Sequence, residues 1–163
     1  MKPTVLITGG NGFIGRKLTD TLLQAGFQVR ITSRREPKEQ PANPAVRVVR
    51  VDYNNVPSLQ KAMEGCEGVF NLAAAIFGFS RADFERANVV AAQNVVAAAN
   101  QTPGLKTFVH VSSLAASGYA ADKNHPRTET DEPKPVSDYG ITKLGGEKAV
   151  KTLKPGIKWT IIR

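Results

Sequence analysis

The segment Thr4–Gly15, which reads TVLITGGNGFIG, constrains the fold more than any other part of this 163-residue chain. It begins with the apolar run Val5–Ile7, of the kind that forms a fully buried parallel strand. Glycines then stand at positions 9, 10, 12 and 15. Directly behind them begins the apolar spacing of an amphipathic helix, carried by Phe13, Ile14, Leu18, Leu22 and Leu23. The segment therefore predicts a strand, a glycine turn and a helix, in that order.

A glycine turn between a strand and a helix is the context in which this pattern predicts dinucleotide binding. One glycine permits the tight turn, a second lets the backbone approach a pyrophosphate, and the last lets helix and strand pack closely. The N–H groups and the positive dipole end of the helix favour phosphate. A tight loop that binds no ligand is the alternative interpretation of the same residues.

The rest of the chain alternates between strand and helix patterns, which is typical of a parallel sheet with helices on both faces. The sequence therefore predicts one α/β domain over residues 1–163, a Rossmann-type doubly wound sheet. Further strands are predicted at Phe27–Thr32, Ala45–Val51, Val69–Ala75, Thr107–Val111 and Ile157–Ile162, and further helices at Val56–Glu64, Arg81–Asn100 and Asp138–Val150.

Composition excludes several classes of protein. No apolar run approaches the length of a membrane span, and no signal peptide is recognisable, so we expect a cytoplasmic protein without a membrane partner. The single cysteine, Cys66, cannot form an intrachain disulfide and fits a reducing compartment. The net charge is +8, but basic runs and aromatic residues are too few for a nucleic-acid surface, so a small polyanionic ligand is the expected partner.

The end of the second strand determines the expected cofactor. In a dinucleotide-binding sheet, an acidic residue at this place binds the ribose hydroxyls of NAD. Here the chain has Ser33, Arg34 and Arg35, and an arginine offers a charge-assisted fork to a 2′-phosphate. We therefore expect NADP(H) rather than NAD(H), bound by Ser33 and Arg34. A solvated basic turn is the alternative.

Tyr139 and Lys143 are the candidate catalytic pair. Their i, i+4 spacing puts a phenol and an ammonium on one helix face. A neighbouring cation stabilises the phenolate and makes the tyrosine a usable proton donor or acceptor. Two serines, Ser112 and Ser113, end the fifth strand upstream, on the edge of the sheet where a ligand would lie. No metal site is predicted. Asp52, at the end of the third strand, could meet an adenine or cap the next helix.

Four segments taken together resemble the extended short-chain dehydrogenase/reductases, also called the NAD-dependent epimerase/dehydratase family. They are TGGNGFIG at 8–15, NLAA at 71–74, VSSLAASG at 111–118 and YGITK at 139–143. The resemblance covers nearly the whole chain with the segments in the family's order. It implies hydride transfer at a carbonyl or alcohol carbon of a small-molecule substrate.

The resemblance also assigns residue roles. Ser113 would polarise the substrate carbonyl, with Ser112 the weaker candidate; Tyr139 would be the acid/base, and Lys143 would bind ribose hydroxyls. Asn88 matches an asparagine that opens the family's N-x-x-G-T motif, although Ala91 and Ala92 stand where that motif has Gly-Thr. The cofactor would be held by the following residues: Gly9, Gly12, Phe13, Ile14, Gly15, Ser33, Arg34, Asp52, Ala73, Ala74, Tyr139 and Lys143.

Family members continue after the sixth strand into a C-terminal region that binds the substrate, and nothing in these 163 residues corresponds to it. We therefore expect the N-terminal part of a longer protein or a cofactor module that needs another chain. The resemblance also implies a possible homodimer through the helices at 81–100 and 138–150. The leading expectation is an NADP(H)-preferring oxidoreductase or epimerase. The alternative is a non-catalytic dinucleotide-binding or regulatory module.

Overall fold

Six parallel strands form one sheet in the spatial order β3-β2-β1-β4-β5-β6 in the computed structural model, which describes residues 2–163. β1 lies between β2 and β4. From β1 the chain adds β2 and β3 on one side of the sheet, and then β4, β5 and β6 on the other side, so the direction of strand addition reverses at β1. A crevice forms outside the carboxyl ends of the strands at such a reversal. The strands are β1 (Thr4–Thr8), β2 (Gln28–Ser33), β3 (Val46–Arg50), β4 (Gly68–Asn71), β5 (Thr107–Val111) and β6 (Lys158–Ile162).

Helices cover both faces of this sheet, as the alternation predicted. They are α1 (Phe13–Gln24), α2 (Val56–Met63), α3 (Arg81–Phe84), α4 (Ala91–Gln101) and α5 (Asp138–Val150). On one face, Leu6 packs into an apolar cluster with residues of α2, α4 and α5. On the other, Val5 and Ile7 pack with Leu22 of α1. Successive residues of a buried strand point to opposite faces, so an all-apolar run is what this arrangement requires.

The predicted elements are confirmed, with small differences at their ends. β4 stops at Asn71, and residues 72–75 already belong to the loop that leaves the sheet. The predicted helix at 81–100 is present but not uniform. Its middle, Glu85–Val90, is π-helical, between α3 and α4. Val95 and Val96 of α4 are buried in the core.

The start of α1 corrects the sequence analysis. Phe13 and Ile14 were expected to begin the amphipathic pattern, but their side chains are 96% and 57% exposed. The residues of α1 that are buried are Gly15, Thr19 and Leu22. The physical reason is position, because the first turn of α1 follows the glycine loop beyond the end of β1, where no sheet lies beneath it.

Within residues 2–163, no helix is both long and apolar enough to span a bilayer.

Candidate functional site

The glycine turn after β1 is held together by its own backbone. Gly9 has a φ of +71°, in the left-handed region that favours glycine, and its carbonyl oxygen accepts a hydrogen bond from the Gly12 N–H at 3.0 Å. A Cβ on Gly9 would lie 3.0 Å from the Ala73 nitrogen, so the turn touches the loop that follows β4. No side chain caps the N-terminus of α1, which begins after Gly12. Its first N–H groups therefore face the carboxyl edge of the sheet without a side-chain acceptor.

A line of buried polar side chains joins three strand ends beneath this turn. The Thr8 hydroxyl donates to Asn71 Oδ1 at 2.6 Å, and Asn71 Nδ2 donates to His110 Nδ1 at 3.0 Å. Burial and the nearby Lys143 ammonium lower the pKa of His110 to about 4, while the Glu147 carboxylate opposes them. The imidazole is therefore neutral at neutral pH. Thr8 also accepts from Ala73 N–H at 3.0 Å and so fixes the exit of β4.

The end of β2 presents two arginines to solvent. Ser33 Oγ donates to the Arg35 carbonyl oxygen at 2.7 Å and accepts from the Arg35 N–H at 3.2 Å, which closes a tight turn. Arg34 and Arg35 both line the crevice. Within residues 2–163, neither guanidinium takes part in an ion pair. Two arginines on a fixed turn are thus available to an anionic ligand.

Sequence reasoning missed Tyr53, which lines the crevice between β2 and β3. Its hydroxyl shares a 2.7 Å hydrogen bond with Thr32, and burial raises its pKa above the usual value. An aromatic residue directly after the third strand, at the carboxyl edge, was the available signal. Asp52 is exposed, accepts from the Asn54 N–H and does not line the crevice. It does not cap α2 either, because Asn55 does so.

The crevice itself has a volume of about 940 Å³, which lies within the usual range for ligand sites. It runs from the glycine turn across the ends of β2 and β3 to the loop after β4. Gly9, Arg34 and the two predicted alanines, Ala73 and Ala74, all line this one cavity. The remaining lining residues are Asn11, Thr32, Ser33, Arg35, Tyr53, Asn54, Ala75, Phe77, Arg86, Ala87 and Ala91.

The two serines after β5 have different surroundings. Ser112 is buried, and its hydroxyl donates to Glu147 Oε1 at 2.5 Å. Ser113 is half-buried, and its Oγ accepts from the Ala115 N–H at 3.2 Å at the start of a 3₁₀ turn. The Ser113 hydroxyl proton therefore remains free for a ligand, whereas that of Ser112 is already used. This geometry favours Ser113 over Ser112.

Tyr139 and Lys143 lie on α5, which begins beside that 3₁₀ turn. Gly140 touches the Ala115 carbonyl, and a Cβ there would overlap the carbonyl oxygen, so α5 and the Ser113 segment are in direct contact. The Tyr139 ring packs edge-on against Phe84, with 6.2 Å between ring centroids. The buried Lys143 Nζ donates to the Val111 carbonyl oxygen at 2.8 Å. Burial lowers the Lys143 pKa to about 8, against the opposing effect of Glu147.

Asn88 joins two parts of this region from the π-helical segment. Its Oδ1 accepts from the Ala75 N–H at 2.8 Å, and its Nδ2 donates to the Ala75 carbonyl at 3.1 Å and to Thr142 Oγ1 at 3.2 Å. The amide is 3% exposed, which is unusual for a mid-helix asparagine. It therefore ties the loop after β4 to α5, between Tyr139 and Lys143.

We expect Asn88→Ala to lower the free energy of unfolding by about 1–3 kcal/mol, since both backbone groups of Ala75 would lose their partner. Denaturant unfolding followed by circular dichroism measures this. Asn94→Ala is the matched control, because Asn94 Nδ2 makes one bond, to the Tyr53 carbonyl at 2.8 Å. Equal losses of unfolding free energy in the two variants would show that the three hydrogen bonds of Asn88 add no more stability than the single bond of Asn94.

Comparison with known proteins gives a consistent picture. The model of the NAD dependent epimerase/dehydratase family matches residues 5–163. A putative dihydroflavonol 4-reductase of Synechocystis sp. is 31% identical over 93% of this chain and 45% of its own length. A 4-hydroxy-2-methyl-3-oxo-4-farnesyl-3,4-dihydroquinoline-1-oxide ketoreductase of Stigmatella aurantiaca is 30% identical over 96% of this chain and 48% of its own.

The same likeness extends to solved structures. UDP-glucuronic acid 4-epimerase from Bacillus cereus, solved in complex with NAD, superposes with a TM-score of 0.80 and 26% identity. The alignment covers 98% of this chain and 56% of the epimerase. The chain thus spans about half the length of the relatives it matches.

Proposed function

Because the chain belongs to the NAD-dependent epimerase/dehydratase family, the extended short-chain dehydrogenase/reductases, we propose that it carries the cofactor site and catalytic groups of an NADP(H)-preferring oxidoreductase or epimerase. The observation that carries the proposal is the meeting of two sets of residues at one sheet edge. The glycine turn and Arg34 line the crevice. Ser113, Tyr139 and Lys143 are not in that lining, but Ser113 follows β5 at the same edge of the sheet, and Asn88 joins Ala75 of the lining to α5.

The residues present fit a dinucleotide. Gly9 and Gly12 leave the backbone bare where a side chain would fill the turn, and the uncapped start of α1 suits a pyrophosphate. Arg34 would pair with a 2′-phosphate, and Tyr53 would lie against the adenine, a role that the sequence analysis gave to Asp52. Ala73 and Ala74, which the Thr8 hydroxyl and Gly9 hold close to the turn, would border the nicotinamide.

Reduction of a carbonyl needs a hydride at carbon and a proton at oxygen, and a bound nicotinamide supplies the hydride. This chain supplies the rest. The free Ser113 hydroxyl donates a hydrogen bond to the substrate oxygen, and the Tyr139 phenol gives that oxygen its proton. The buried Lys143 ammonium stabilises the phenolate that remains, since its pKa of about 8 keeps it mostly charged at neutral pH. In the oxidative direction the same groups act in reverse.

Exposed apolar side chains on the segments after β4 and β5 support a substrate with an apolar body. Phe77 and Phe79 follow β4, and Leu114 and Tyr119 follow β5; all four are at least 73% exposed. A Cβ on Gly78 would lie 3.2 Å from the Phe84 ring, which packs on Tyr139, so the segment of the first pair lies near the proposed acid. Contiguous exposed apolar surface usually marks a binding site. Together with Arg34, they favour a reductase of apolar carbonyl compounds over an epimerase of nucleotide sugars.

Cofactor titration and turnover test the proposal. NADPH should bind more tightly than NADH, as measured by fluorescence, and should be consumed in the presence of ketones on apolar ring systems. Binding without turnover of any carbonyl compound would favour the non-catalytic module instead. A protein that binds neither dinucleotide would refute both hypotheses.

We expect Arg34→Ala to raise the dissociation constant of NADPH about tenfold or more and to leave that of NADH unchanged. A charge-assisted hydrogen bond to phosphate is worth about 1.5–3 kcal/mol, and 1.4 kcal/mol is tenfold. Arg47→Ala is the matched control, because Arg47 is an exposed arginine on β3 that does not line the crevice. Equal weakening of NADPH and NADH would contradict the role of Arg34 in cofactor choice.

A further inference from the structure

Glu147 continues the row of polar residues on α5, one turn beyond Lys143 and two beyond Tyr139, and the proposed function gives it no role. It is 2% exposed. A carboxylate buried to this degree is costly unless several donors surround it.

Donors from two strand ends reach this carboxylate. Ser112, just after β5, donates to Oε1 at 2.5 Å. Arg163, just after β6, donates from Nε to Oε1 at 2.9 Å and from Nη2 to Oε2 at 2.7 Å. This is a two-pronged guanidinium–carboxylate pair, the strongest geometry that the two groups can adopt. Burial raises the pKa of Glu147, but the Arg163 and Ser112 hydrogen bonds outweigh it and hold that pKa below the ordinary value.

Helix α5 also binds the end of β5 at a second point. Lys143 Nζ donates to the Val111 carbonyl oxygen at 2.8 Å, and Ser112 N–H donates to the Ile162 carbonyl oxygen at 2.6 Å. Residues 111 and 112 are therefore fixed from α5 and from β6. Ser113 is the next residue, so its position depends on these bonds.

Lys143 and Glu147 have the i, i+4 spacing at which a lysine and a glutamate commonly pair. Within residues 2–163, however, the ion-pair partner of Glu147 is Arg163. The Lys143 ammonium is left with a carbonyl oxygen. The charged and titratable groups that act on this ammonium are Glu147 on α5 and His110 on β5. Tyr139 lies one turn before Lys143 on α5, and Arg163 beyond β6 is bound to Glu147.

We propose that Glu147 is a positioning residue, whose carboxylate, engaged by Arg163 and Ser112, fixes the strand end that carries Ser113 and is kept from pairing with the Lys143 ammonium. The inference rests on the proposed function for its purpose, but its geometry and its test do not need turnover. By this inference, Arg163 and Ser112 support the site through their hydrogen bonds to Glu147 and do not contact a ligand themselves.

Two substitutions that break the same pair separate this role from simple stabilisation. Arg163→Gln frees the carboxylate to pair with Lys143, so we expect the Lys143 pKa to rise from about 8 by about one unit. Glu147→Gln removes the nearby negative charge and leaves Arg163 unneutralised, so that pKa should fall below about 8. The readout is an NMR titration of protein labelled at lysine Cε, with the Lys143 signal identified by its loss in Lys143→Met.

Opposite shifts in the two folded variants support the proposal, whereas shifts in one direction, or none, overturn it. Glu67→Gln is the control, because Glu67 pairs with Lys106 on the surface and should leave the Lys143 titration unchanged. If Glu147→Gln does not fold, Arg163→Lys and Arg163→Gln decide the matter. The charge-conserving variant should keep the wild-type titration, and equal titrations in these two variants overturn the proposal. A wild type that binds no NADPH would refute the proposed function and leave this result standing.

Discussion

Tyr139→Phe is expected to lower the turnover of NADPH-dependent carbonyl reduction by about 10²–10⁴, the usual contribution of a positioned proton donor. The substitution removes only the phenolic oxygen, and the ring keeps its edge-on packing against Phe84. The unfolding free energy should therefore stay close to that of the wild type, and any weakening of NADPH binding should be small beside the loss of turnover. Steady-state kinetics with a ketone substrate measure the turnover, and a fluorescence titration of NADPH measures its dissociation constant.

Tyr119→Phe is the matched control for that experiment. Tyr119 is 81% exposed in the loop after β5, and loss of its hydroxyl should not change turnover. If Tyr139→Phe retains the wild-type rate, another group must supply the proton and the assignment of Tyr139 fails. If both tyrosine variants lose activity equally, the loss reports on substrate binding at the rim rather than on proton transfer.

Gly15→Ala is expected to give the largest loss of stability among single substitutions in the glycine turn. A Cβ at Gly15 would overlap the Gly9 carbonyl oxygen and lie 2.6 Å from the Gly10 Cα, and backbone atoms cannot rotate away. Overpacking of this kind costs about 1–3 kcal/mol or more. Helix propensity alone would make the alanine variant more stable by up to about 1 kcal/mol. A net loss of unfolding free energy is therefore due to the overlap of the new Cβ with the backbone. NADPH binding should be lost together with the turn geometry.

Gly12→Ala separates packing from ligand approach. Its nearest neighbour would be the Gly9 carbonyl oxygen at 3.2 Å, and its φ of −77° suits alanine. The variant should therefore unfold close to the wild-type midpoint, while its affinity for NADPH falls if the pyrophosphate crosses the bare backbone here. Thermal unfolding of both variants gives the comparison. If the Gly15→Ala protein keeps the wild-type midpoint of thermal unfolding and the wild-type affinity for NADPH, α1 cannot lie as close to Gly9 and Gly10 as the structure has it.

The fold was largely predictable because its signals are local. A strand buried on both faces, such as β1, needs an unbroken apolar run, and Val5, Leu6 and Ile7 provide it. Helix α5 has the predicted bounds, Asp138–Val150, and Ser137 caps its first turn through a hydrogen bond from the Gly140 N–H. Phe13 and Ile14 were predicted wrongly for an equally physical reason. Periodicity reports which residues share a face of a helix, and it does not report where along the helix the sheet ends.

The site was less predictable, since its contacts join residues distant in sequence. Asn88 was identified only by resemblance, and its bonds to Ala75 and Thr142 depend on the π-helical segment, which no residue pattern announces. Tyr53 was missed because its place in the crevice depends on a hydrogen bond to Thr32, 21 residues away in the sequence. In the sequence, Glu147 is one of several charged residues on a helix and Arg163 is a charged residue after a strand. Only the fold shows that the two side chains, 16 residues apart, form an ion pair. The roles of Ser113, Tyr139 and Lys143 stay predictions.

The central place of β1 also fixes the order in which the chain can assemble. β1 pairs with β2 on one side, but its other neighbour is β4, with Thr8 opposite Asn71. Ala73, against which Gly9 rests, comes later still. During synthesis, the glycine turn is made before its supporting wall, which follows only some 60 residues later in the chain. Non-local parallel pairing of this kind slows folding, so the turn is completed late and remains exposed to chaperones and proteases in the meantime.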